Sequence, residues 1–202
     1  MEYHSKLIEA AVNEIAKLPG IGKKTALRLA LHLIKENENT TFSLTDSLNK
    51  LKSNIQFCKV CHGISDDEIC MICSSSKRDR SLLCVVEESN DVMAIENTSQ
   101  FSGVYHVLGG IISPIKSIGP AELKISSLLD RVSTQESEIK EIILALSPTL
   151  EGDTTSFYLH RKLKEFPIKI SSISRGIAVG SDLEYADEIT LGRSITARTE
   201  FK

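Results

Sequence analysis

The 202 residues predict an α+β protein made of several small modules rather than one layered core. Three observations carry this expectation. A glycine turn, Pro19-Gly20-Ile21-Gly22, separates two amphipathic helical stretches. Four cysteines fall in two pairs, Cys58-x2-Cys61 and Cys70-x2-Cys73. Beyond residue 80, short apolar runs alternate with helical patterns, the signature of an α/β layer with a mostly parallel sheet.

The elements follow in order. Residues 5–18 place Leu7, Ile8, Ala11, Val12 and Ile15 on one helical face, and Pro19-Gly20 ends it. A second helix is expected from about Lys23 to Glu36. A third carries Leu44, Leu48, Leu51 and Ile55 behind a candidate cap at Ser43. The cysteine knuckles occupy about 56–78. Strands are then predicted at Leu82–Val86, Val104–Leu108, Glu141–Leu146 and Ile168–Ile173. Helices are predicted at Ser89–Asn97, Ala121–Val132, Thr154–Lys164 and Asp182–Thr196.

Composition bounds the setting. At 41% hydrophobic the chain can bury a core, yet it has no apolar stretch long enough to span a bilayer. The start, Met1 to Lys6, has no apolar signal core, so a cytoplasmic chain with reduced thiols is expected. The net charge of −3 hides a local bias: residues 1–35 hold six basic residues and three acidic ones. A basic face confined to one module suits a surface that meets a polyanion.

Four soft ligands in two tight knuckles suit a tetrahedral metal. Cys58, Cys61, Cys70 and Cys73 are therefore expected to hold a structural Zn2+, with no position left for water; two disulfides or a redox Cys-x-x-Cys are the alternatives. Lys59 and the run Lys77-Arg78-Asp79-Arg80 lie near enough in sequence to offset the charge of four thiolates. Cys84, inside Leu82–Val86, reads as a core residue. His106 and His160 have no companion at metal or triad spacing and read as structural or surface histidines.

The turn of Gly20 and Gly22 with Lys23, Lys24 and Arg28 looks like a helix-hairpin-helix. Its free amides favour an anion, and lysines at a helix N-terminus oppose the dipole unless a phosphate is near. Such a module holds the DNA backbone without reading sequence. A P-loop fails, because its first glycine would fall at Lys17 and Lys24 replaces the Ser/Thr. Glu87 after one apolar strand, and Glu151 and Asp153 after another, resemble the acidic set of Toprim domains. Carboxylates at the carboxyl ends of parallel strands could hold Mg2+.

The order of these parts resembles the bacterial recombination-mediator family RecR over essentially the whole chain. The stretches that carry it include Leu-Pro-Gly-Ile-Gly (18–22), Cys-Met-Ile-Cys-Ser-Ser-Ser-Lys-Arg-Asp (70–79), Cys-Val-Val-Glu-Glu (84–88), Tyr-His-Val-Leu-Gly-Gly (105–110), Glu-Gly-Asp-Thr-Thr (151–155) and Asp-Leu-Glu-Tyr-Ala-Asp-Glu (182–188). Lys23, Asp153, Ala178 and Ser181 depart from the usual pattern. The resemblance implies a helix-hairpin-helix at 1–55, a four-cysteine zinc finger at 56–79, a Toprim domain at 80–174 and a C-terminal segment at 175–202 used for packing or oligomerisation. It implies a non-enzymatic mediator of recombinational repair, acting with RecO and RecF to load RecA on SSB-coated single-stranded or gapped DNA. It also implies a homo-oligomer, dimer or tetramer, in the cytoplasm at the nucleoid, away from membranes. The Toprim acids would then serve a partner or a weakly held Mg2+. A Mg2+-dependent nuclease or topoisomerase is the alternative, but Tyr3, Tyr105, Tyr158 and Tyr185 carry no sign of a nucleophile.

Overall fold

The computed structural model describes residues 4–134, 138–177 and 179–200; Tyr3 and Ala178 lie outside the described residues. The chain divides into two compact units, residues 1–55 and 56–202.

In the first unit, α1 (Lys6–Ile15) starts at Ser5, whose hydroxyl accepts the Ile8 amide. α2 (Lys23–Lys35) starts directly after Gly22. Val12, Ala26 and Ala30 are buried between the two helices, with Ile8, Ile15 and Leu27 packed around them. Small residues at 26 and 30 let the helices approach closely. α3 (Glu38–Asn54) begins five residues before the Ser43 expected from sequence. Asn37 is the cap, its Oδ1 accepting the Asn39 amide at 3.0 Å, and Glu38 favours the N-terminal end of the dipole. α3 buries no residue completely.

The second unit opens with a two-stranded antiparallel ribbon, β1 (Gln56–Phe57) and β2 (Ile64–Ser65), followed by the short α4 (Met71–Ser74). Sequence periodicity predicted neither strand, since two residues carry no period. The α/β layer follows: β3 (Asp79–Val86), α5 (Ser89–Asn97), β4 (Gly103–Val107), α6 (Ile125–Ser133), β5 (Glu141–Ala145), α7 (Leu150–Leu163) and β6 (Lys169–Ser172). The four strands are parallel in the order β4-β3-β5-β6, so β4 and β6 are the outer strands. Leu83 and Val85 face a core shared with α6 and α7; Cys84 and Val86 face the opposite core, where Val92 and Ile95 of α5 pack. Helices on both faces explain why the strands read as continuous apolar runs.

Two helix starts within the α/β layer also differ from the sequence reading. α6 begins four residues later than expected, because the Lys124 amide is drawn to the Leu108 carbonyl (2.9 Å) at the end of β4. α7 begins four residues earlier, capped by Thr149, whose Oγ1 accepts the Gly152 amide at 3.1 Å. Glu151 and Asp153 thus lie in a helical first turn rather than a loop. Gly152 permits that turn, since a Cβ there would lie 2.0 Å from the Ser147 carbonyl oxygen. The final segment, expected as one helix, is a 3-10 turn (Leu183–Tyr185) and then α8 (Glu188–Thr196), restarted by the Asp187 side chain capping Thr190. No described helix is long and apolar enough to cross a membrane.

Candidate metal centre and nucleic-acid interface

The four paired cysteines converge. Their sulfur atoms all lie within 4.8 Å of one another, and Cys58, Cys61 and Cys73 are buried. β1 and β2 build the first knuckle: the Cys58 amide donates to the Gly63 carbonyl and the His62 amide to the Cys58 carbonyl. His62 takes φ 62°, the left-handed turn that brings Cys61 back beside Cys58. The second knuckle is the start of α4. Backbone N–H groups reach two sulfurs, Cys70 N–H to Cys58 Sγ (3.3 Å) and Cys73 N–H to Cys70 Sγ (3.4 Å).

The donor set fits a tetrahedral thiophilic cation. Cys61 and Cys70 Sγ are 3.6 Å apart, far beyond a disulfide bond but close to the ~3.8 Å edge of a tetrahedron with metal–sulfur bonds of ~2.3 Å. Without a cation the cluster resists full ionisation. The Cys61 thiolate is stabilised by the Cys73 thiol, which brings its pKa down to about 5. Cys73 is pushed up by that same hydrogen bond and by burial, and Cys70 is raised by burial first. A divalent cation supplies the charge that four thiolates together require.

The cationic surroundings differ from those read off the sequence. Lys59 pairs with Glu68 at 2.7 Å, and Arg78 pairs first with Glu96 while also sensing the charge of Cys70. Arg80 contributes through the Cys73 carbonyl (3.0 Å). Sequence reading missed one cation: half-buried Arg131 on α6, which is held by the Tyr105 carbonyl at 2.7 Å and senses the charges of Cys73, Cys61 and Cys58. An arginine facing inward on an amphipathic helix was its only sequence signal.

The knuckles are stitched to the sheet. Val107 N–H of β4 donates to the Cys61 carbonyl at 2.8 Å, and Ile64 N–H donates to Ser89 Oγ at 3.0 Å. His62 Nε2 lies 2.6 Å from Ser127 Oγ, and its ring meets the edge of His106 at 5.2 Å. His106 is buried, with Nε2 against the Lys124 carbonyl, and burial brings its pKa down to about 4. His160 lies on the exposed face of α7. Burial also pushes the Cys84 thiol up to about 12, in keeping with a core residue.

In the hairpin, Gly20 adopts φ +77° and Gly22 caps α2 with no side-chain acceptor. A Cβ at either glycine would touch nothing within 4 Å, so the backbone there is open to approach. α2 has no acid in its first turn. Lys23, Lys24 and Arg28 are exposed, but Lys23 lies about 100° around the helix from Lys24.

Two of the three Toprim-like acids are engaged, each by different partners, while Glu151 lies half-buried in the first turn of α7. Glu87 Oε1 accepts the Ser147 amide at 2.5 Å, and its carbonyl accepts the amides of Gly109 and Gly110. Asp153 pairs with Arg175 (2.5 Å) and Arg193 (3.5 Å), which hold its carboxyl below the usual range. Among the described residues, the four cysteines are the group of three or more metal-ligand side chains whose donor atoms converge. Tyr105 is buried with its hydroxyl on Glu96.

Comparison with known proteins matches four family models in chain order. They are the RecR helix-hairpin-helix (8–52), the RecR four-cysteine zinc finger domain (55–75), the Toprim domain (81–174) and the RecR C-terminal model (176–199). Curated relatives are similar end to end. The chain is 60% identical to the Recombination protein RecR of Cytophaga hutchinsonii over 100% of this chain and 98% of that one. It is 60% identical to that of Amoebophilus asiaticus (98% of both chains) and 58% identical to that of Parabacteroides distasonis (98% and 95%).

Proposed function

The chain belongs to the RecR family of recombination proteins, and on that premise we propose that it is a DNA-binding mediator of recombinational repair. The observation that carries the reading is the succession of helix-hairpin-helix, zinc finger and Toprim layer in one chain, matched end to end by recombination proteins. In this reading residues 1–55 bind DNA, 56–79 form the zinc finger, 80–174 the Toprim domain and 175–202 a packing and oligomerisation segment.

Cys58, Cys61, Cys70 and Cys73 hold one structural Zn2+, which supplies a fixed cross-link and no chemistry. The amides around Gly20 and Gly22, with Lys23, Lys24 and Arg28, grip phosphates irrespective of base sequence. The protein then works with RecO, RecF or both at SSB-coated single-stranded or gapped DNA to help RecA load. Glu87, Glu151 and Asp153 serve a partner protein or a weakly held Mg2+. The engagement of Glu87 with Ser147 and of Asp153 with two arginines favours a partner or the fold over strand cleavage.

Homo-oligomerisation is supported by apolar side chains that the first unit leaves in solvent. Leu7 is 83% exposed and Phe42 66%, and both line a groove of about 650 Å³. A second copy is the natural cover.

The test is DNA binding by the purified protein, with pull-down of RecO, RecF and SSB from extract. The expected result is sequence-independent binding and recovery of at least one of these partners. Failure of both removes the mediator reading. A Mg2+-dependent nicking assay separates the enzyme alternative, since cleavage that disappears with Glu151→Ala would replace mediation by catalysis.

A further inference from the structure

Some basic side chains in this molecule are paired, as Lys17 with Glu14, Lys50 with Asp46, Lys59 with Glu68 and Lys169 with Glu141. Others, such as Lys52 and Arg161, stand without an ion pair among the described residues but on helices that also carry acids. α2 is different. Its thirteen residues contain no acid, and Lys24, Arg28 and Lys35 have no ion pair among the described residues. At about 100° per residue, Lys24, Arg28, His32 and Lys35 fall within about 80° of the helix circumference. They rim a groove of about 540 Å³ floored by Leu27 and Leu31. Glu36, just past the helix end, lies 3.7 Å from His32.

The helix dipole accounts for His32 and Lys35, which lie in the last turn. It does not account for Lys24, which opposes it, nor for the alignment of all four. From Lys24 to Lys35 the helix rises about 16 Å, with one cation per turn of about 5.4 Å. A nucleic-acid strand offers one phosphate per roughly 3.4 Å of axis, so the line can follow one strand past several phosphates. Leu27 and Leu31 between the cations suit sugar carbons.

We propose that the face of α2 from Lys24 to Lys35 is a phosphate-backbone track that extends DNA contact the length of the helix, well beyond the hairpin. This rests on the reading that the hairpin binds DNA. The occupant is a DNA strand, recognised by its phosphates and not by its bases.

The test is fluorescence anisotropy of the full-length protein with a labelled oligonucleotide, single-stranded and duplex, across a salt series. Lys35→Ala is expected to weaken binding about fivefold at about 0.1 M salt and to lower the salt slope by about 0.7–0.9, the amount for one lost contact. His32→Gln should weaken binding less, and Lys24→Ala as much as Lys35→Ala. Lys50→Ala removes the same charge from α3 and should leave the slope in place. Unchanged slopes for Lys35→Ala with a reduced slope for Lys24→Ala would confine contact to the hairpin and overturn the track. Equal losses in Lys35→Ala and Lys50→Ala would reduce it to net charge and also overturn it. Loss of binding to a polyglutamate peptide with DNA affinity intact would assign the face to an acidic protein segment instead. Absence of DNA binding by the wild type would remove the hairpin reading itself.

Discussion

At Glu87 one carboxylate oxygen accepts the amide of Ser147 beyond β5, while the backbone carbonyl gathers Gly109 and Gly110 beyond β4. The residue therefore ties together the carboxyl ends of three strands. Glu87→Ala leaves the half-buried Ser147 amide unpaired and is expected to cost about 1–3 kcal/mol. Glu87→Gln retains an acceptor and should cost less. Thermal unfolding of both variants decides this, and equal stability of wild type and Glu87→Ala would contradict it. Glu87 was visible in the sequence as an acid after an apolar strand, but its partner was not. Ser147 lies sixty residues away, and only the β3–β5 pairing brings the two together. Arg131 was hidden for the same reason: its relation to the cysteines depends on where α6 crosses the sheet.

At the scale of elements, α8 is anchored by ions more than by burial. None of its residues is buried, whereas Arg193 of α8 and Arg175 before it both reach Asp153 on α7. Asp153→Asn should loosen α8, lowering its amide protection about fivefold, equivalent to ~1 kcal/mol. The sign with pH follows from the lowered pKa of Asp153. Its contribution is present above the ordinary carboxylate value near about 4 and is lost as pH falls through the depressed value. Protection of α8 in the wild type should therefore converge on that of Asp153→Asn in acid; hydrogen exchange that stays different there would rule the anchor out. Element types were legible wherever periodicity ran for several turns or a strand carried four apolar residues. Boundaries moved where a cap decided them, as Asn37, Thr149 and Asp187 do. The ribbon of β1 and β2 was beyond reach because two-residue strands are defined by their partners.

For the whole molecule, two measurements bear on assembly and metal. Light scattering across a wide concentration range is expected to give a mass of two or four chains. A mass of 22.3 kDa persisting at high concentration would leave the exposed Leu7 and Phe42 without the cover proposed for them. Native mass spectrometry should find one zinc per chain, lost in Cys70→Ser together with stability; a fully folded wild type with far less zinc would sink the structural role. The order of modules was readable because each has a compact signature of its own, the glycine turn, the cysteine pairs and the strand–helix alternation. How the acids at the strand ends are partnered was not, since that depends on the assembled layer.

β4 is an outer strand of the sheet, and the Val107 amide on it is occupied by the Cys61 carbonyl of the first cysteine knuckle. An open strand edge is a template on which another chain can add, so the knuckle doubles as a guard against self-association. Zinc starvation would then threaten solubility before it threatened DNA contact. With chelator, turbidity is expected to rise while helical content is still largely retained. Val107→Pro, which removes the edge amide, should blunt that rise if the variant folds with zinc bound. Clear solutions after complete metal removal would show that the edge is guarded by something else.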